Sequence, residues 1–141
     1  MNRHFLLPVL LVCLAGACGS GDESKAPFPE TPFQTITSDS GKLLMEIRTS
    51  PQPPVKGPAD VEITARDAET SAPVDDLVIR ISPWMSSMGH GSNSADSIPQ
   101  GDGRHVAEEV LFSMSGKWEL KLAISGEVED TAETPSFDVR P

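Results

Sequence analysis

Tyrosine is absent from the chain, and two tryptophans and five phenylalanines supply all of its aromatic side chains. Any hydrophobic core must therefore rest on Val, Ile, Leu, Phe and Met, with few large rings to anchor it. Cysteine is as scarce: Cys13 and Cys18 are the only two, and both precede the region that reads as folded. A folded domain beyond them has no disulfide, no thiolate zinc site and no cysteine nucleophile. Positive charge is outweighed by negative, 11 Lys and Arg against 21 Asp and Glu, for a formal net charge of -10. That balance speaks against a nucleic-acid partner. Long apolar runs are missing too. Phe5–Leu14 is the longest, well short of the ~20 residues that cross a bilayer.

That short apolar run has its own meaning. Arg3 places a positive charge ahead of it, and the small residues Ala15, Gly16 and Ala17 follow it. A charged start, a short apolar stretch and a small-residue end describe a secretory signal, predicted over 1–17. Leu14-Ala15-Gly16-Ala17-Cys18 resembles a bacterial lipobox. The resemblance implies lipidation at Cys18 and, with acyl chains on the same residue, a stable membrane anchor. Cys13 follows the bulky Val12 and fits that role poorly. Gly19 and Ser20 come next, with no aspartate directly after the cysteine, which by likeness to Gram-negative lipoproteins favours the outer membrane, facing the periplasm. Residues 18–32 then carry Asp22, Glu23, Ser24 and Lys25, followed by Pro27, Pro29 and Pro32. Such a polar, proline-punctuated stretch reads as a flexible tether.

From Phe33 onward the chain reads as one domain, 33–141, of short strands divided by turns. In 60–67 Val61, Ile63 and Ala65 alternate with Glu62, Thr64 and Arg66. Period-two alternation marks a half-buried strand. The stretch 74–82 repeats it through Leu77, Ile79 and Ile81, and 116–125 through Trp118, Leu120, Leu122 and Ile124. With 33–37, 42–49, 104–113 and 137–140 the count is about seven. The predicted fold is all-β, an immunoglobulin-like β-sandwich with Trp84 or Trp118 as its packed ring. It has neither a cysteine pair between the sheets nor a tyrosine corner. The carboxylates Asp60, Glu62, Asp67, Glu127, Glu129, Asp130 and Glu133 read as solvating surface and hairpin loops.

One segment does not read as scaffold. Pro83-Trp84-Met85-Ser86-Ser87-Met88-Gly89-His90-Gly91 follows a strand and opens what reads as a long polar loop reaching Gly103. Two thioethers and an imidazole within six positions form a soft ligand set that selects copper, above all Cu(I), over harder ions. Met85, Met88 and His90 are the candidate ligands. His105 joins them as a fourth if the loop closes on itself, and Gly89 and Gly91 would let the backbone wrap an ion. Packing is the competing account. Met85 keeps the parity of Ile79 and Ile81, Met45 that of Leu43 and Ile47, and Met114 that of Val110 and Phe112. Methionine often fills core gaps. Asp96 and Asp102 lack the dense spacing of a calcium loop.

The stretches Met85–His90, Gly101-Asp102-Gly103-Arg104-His105 and Val110-Leu111-Phe112-Ser113-Met114-Ser115-Gly116-Lys117-Trp118-Glu119-Leu120 resemble the YtkA-like domain family. Trp84 stands where that family often has proline, and His105 where an aromatic ring is frequent. The resemblance implies an immunoglobulin-like extracytoplasmic domain associated with copper handling and respiratory-oxidase assembly, and no enzymatic activity. The residues agree on the last point: no Ser/His/Asp set, phosphate loop or zinc motif occurs. Two functions follow as expectations. One is a tethered Cu(I)-binding or chaperone protein; the other is a metal-free module whose 84–103 segment docks an envelope partner.

Overall fold

A computed structural model describes residues 25–141. The predicted signal and the lipidation candidate Cys18 lie outside the described residues. The rest is an all-β sandwich, β1 Gln34–Thr37, β2 Leu43–Ser50, β3 Gly57–Asp67, β4 Leu77–Met85, β5 His90–Gly91, β6 Ala95–Asp96, β7 Ile98–Gly101, β8 Arg104–Phe112, β9 Gly116–Gly126, β10 Asp130–Glu133 and β11 Phe137–Val139. One sheet runs β1-β2-β3-β8-β7. The other runs β10-β9-β4-β5, with β11 also on β9 and β6 also on β4. All these strand pairs are antiparallel.

The alternating strands behave as their sequences require. Val61, Ile63 and Ala65 of β3, Ile79 and Ile81 of β4 and Leu120, Leu122 and Ile124 of β9 are buried between the sheets. Met45 is buried with them, so packing accounts for it. Trp118 is the core ring, edge-on to Phe112, which in turn meets Phe137. Trp84 lies on the outer face, with the Lys121 ammonium 4.6 Å from its ring.

Four strands lie where none was expected. The segment predicted as a polar loop to Gly103 makes only a short turn and then forms β5, β6 and β7. Its chain leaves one sheet's edge, where β6 pairs with β4, and joins the other's, where β7 pairs with β8. Ser97 makes the crossing: its N–H donates to Ile79 O and its Oγ accepts from Ile79 N, both at 2.9 Å. A buried hydroxyl here replaces a ladder residue, which is why no apolar alternation marks the site. β10 was likewise assigned to solvated loop; only Ala132 of its four residues is buried.

Two further expectations change on the outer face of the β2-β3-β8 sheet. Asp60 and Glu62 were assigned to solvated surface, yet both are buried. Glu62, its side chain 6% exposed, accepts two bonds from Arg104 at 2.6 and 2.9 Å. Asp60 pairs with Lys25 at 2.9 Å and accepts from Glu109 N. The cover comes from the stretch read as free tether. Residues 25–32 lie across this face, where Glu30 O accepts from Arg48 and Thr31 O from Gln52. Lys25 also pairs with Glu108, and these two carboxylates raise its pKa, Glu108 foremost.

Candidate functional site

β4 delivers Met85 to one end of the sandwich, pointing inward and 4% exposed. Beyond it the chain makes a single tight turn, in which Met88 N and Gly89 N both donate to Met85 O at 3.0 Å. Gly89 closes that turn at φ 66°, a left-handed conformation that favours glycine. The chain then returns as β5, pairing His90 with Met85 and Gly91 with Trp84. Gly91 is needed for close approach, since a Cβ there would overlap the Pro83 carbonyl oxygen. The turn is fastened from below by the Ser86 hydroxyl, which donates to the Glu119 carboxylate.

This register brings three sequence candidates together. Directly opposed residues of an antiparallel pair share one face, with Cβ atoms ~4.5–5.5 Å apart. Met85 and His90 are such a pair. Met88 sits on the turn between them and is 58% exposed. The tip thus holds one thioether at the core wall, one in solvent and an exposed imidazole.

His105 does not join them, which corrects the four-ligand expectation. It lies in β8 opposite Ile63, fully buried, with Nε2 2.9 Å from Val74 O. A carbonyl only accepts, so Nε2 carries a hydrogen, while Nδ1 has no partner. Val74 precedes β4, whereas Met85 ends it. Eight strand steps of ~3.3 Å, about 26 Å, separate the two ends of that strand. The supposed loop is a sheet-crossing edge, so it carries His90 and His105 apart.

Met114 is a residue that the sequence reading placed wrongly. Its parity with Val110 and Phe112 suggested core, yet it is 37% exposed on the turn between β8 and β9. Alternation ends at Phe112, because Ser113 begins that turn. The Met114 carbonyl accepts the Trp118 indole N–H at 2.9 Å. Two residues on, Gly116 faces Met85: a Cβ on it would stand 2.9 Å from the Met85 methyl carbon. The signal that could have found Met114 was its position between two serines ahead of a glycine.

Harder ions are poorly served elsewhere. Among the described residues, no three His, Cys, Asp or Glu side chains gather as a metal group. Asp96 is engaged by Arg80 at 2.7 and 2.9 Å, and that hydrogen bonding lowers its pKa. A groove of about 570 Å³ under residues 27–30 contains Arg48, Glu62 and Arg104, but these groups largely pair with one another.

A family model described as YtkA-like matches residues 37–123, a span holding both the Met85–His90 tip and Met114. No curated protein and no solved structure matches the chain.

Proposed function

The chain belongs to the YtkA-like family, a membership that suggests an extracytoplasmic accessory domain, and from that premise we propose a lipid-anchored Cu(I)-binding protein of the cell envelope. Cys18 is the anchor, with the outer membrane, facing the periplasm, as its site. The protein carries or hands on copper and catalyses no reaction. One observation supports the metal reading above the others: cross-strand register sets the Met85 thioether and the His90 imidazole on one face, with exposed Met88 between them. Neutral sulfur and nitrogen donors suit Cu(I), and methionine serves where a thiol would oxidise.

Titration of the mature protein with Cu(I) under anaerobic, reducing conditions tests the proposal. One ion per chain is expected, lost when Met88→Leu and His90→Ala are combined. Full retention by that double variant would refute it. A second reading is a metal-free docking module, which the exposed Met88 and partly exposed Met114 favour. Apolar tips of this kind also serve as interface anchors. Copper-independent binding to an envelope protein, abolished by Met88→Asp, would favour that reading.

A further inference from the structure

We infer that Met114 is a third thioether ligand of the copper site, so that the ion is held by two turns instead of one. The inference rests on the Cu(I) reading of the Met85–His90 tip. It starts from an anomaly: a methionine whose neighbours Val110 and Phe112 are fully buried is itself exposed, on a turn flanked by Ser113 and Ser115. Core packing does not account for a side chain that is 37% exposed beside fully buried neighbours. Its backbone is nonetheless fixed, because the Trp118 indole inside the core donates to the Met114 carbonyl. A fixed backbone with a partly exposed side chain suits a ligand better than a gap filler.

The two turns also adjoin. Gly116, two residues after Met114, leaves the space into which the Met85 methyl carbon reaches. The Ser86–Glu119 bond ties the other side of the β4–β5 turn to β9. The β8–β9 turn therefore borders the wall on which Met85 and His90 face the same way. Met114 brings a soft donor to that border, and the chemistry it adds is specific. Three thioethers and one imidazole are all neutral, so the bound ion keeps its single positive charge. Such a set favours Cu(I) over Cu(II) and over zinc. The Glu119 carboxylate, held at the base of the tip, supplies nearby negative charge.

The test is Cu(I) competition against a colorimetric chelator, using the mature protein under anaerobic conditions, beside X-ray absorption at the copper edge. Loss of an outer-shell partner already lowers metal affinity 10–100-fold, so removing a direct ligand with Met114→Leu should weaken binding by about tenfold or more. The copper shell should lose one sulfur, while circular dichroism and thermal unfolding stay as in the parent. If Met114→Leu binds with parental affinity and an unchanged shell, while Met88→Leu does not, the inference is overturned and the tip reading stands. If the parent itself binds no Cu(I), both fall together.

Discussion

The two ends of the sandwich carry the same residue types and put them to opposite uses. At one end His105 is sealed in the core, its Nε2 engaged by Val74 O. At the other, His90 is exposed beside Met88. Glycine divides in the same way. Gly126, at the His105 end, has φ 116°, and a Cβ there would overlap the Asp76 carbonyl oxygen, which is rigid backbone. At the other end Gly116 faces only the terminal methyl of a flexible methionine. For this pair of glycines one end is closed by backbone and the other bordered by a side chain that can move, although Gly91 beside Trp84 also lies against a backbone carbonyl. The availability of a histidine for chemistry is set by where its strand sits in the sheets, and sequence proximity to other ligands does not determine it.

Substitutions can break this contrast. Leu120, buried midway and common to both ends, sets the scale: Leu120→Ala should cost about 2–5 kcal/mol in urea unfolding. At the closed end Gly126→Ala should cost about 1–3 kcal/mol from strain alone. Gly116, at φ 138°, carries backbone strain too, so Gly116→Ala should fall below Gly126→Ala only by the clash that the Met85 methyl relieves by moving; an equal loss would show that this methyl cannot give way. Acid should also act at the closed end. Burial alone would raise the Asp130 carboxyl, but bonds from Ser40, Ser38 and the Thr131 and Ser40 amides outweigh it and hold its pKa down to about 2. Its folded pKa lies below the unfolded value of about 3.9. The stabilisation is thus present above about pH 4 and is lost as pH falls toward 2. Asp130→Asn should flatten that stretch of the stability curve; an unchanged acid limb would remove Asp130 from the account. Smallest of all, Met88→Leu and Met114→Leu should each shift stability by no more than about 0.5 kcal/mol, as exposed substitutions do. A larger loss from either would mean that the open end is packed after all.

Strands with one buried face were legible because alternation is the imprint of that burial. Val61, Ile63 and Ala65, or Leu120, Leu122 and Ile124, announce their strands. Edge strands leave a fainter trace. β5 and β6 have two residues each, β7 is exposed throughout, and the crossing at Ser97 depends on hydrogen bonds instead of apolar contact. Missing that crossing is what misplaced His105. The Met85–His90 grouping was legible since the three residues lie within one hairpin. Met114 was not, because parity carries no information past the residue where a strand ends.

Residues 25–32 act on the molecule's reach. With a lipid on Cys18, as proposed, a tether free to Pro32 would let the domain range up to about 50 Å from its anchor point, at ~3.3–3.6 Å per residue. The contacts of Lys25 with Asp60 and Glu108 moor the chain seven residues after the cysteine, and the leash shortens to about 25 Å. Lys25 and Glu108 are more than half exposed, so salt weakens that mooring. If Cys18 is the anchor, ionic strength thereby changes how far from a membrane the methionine end can travel, with the Glu30 and Thr31 contacts as a second mooring.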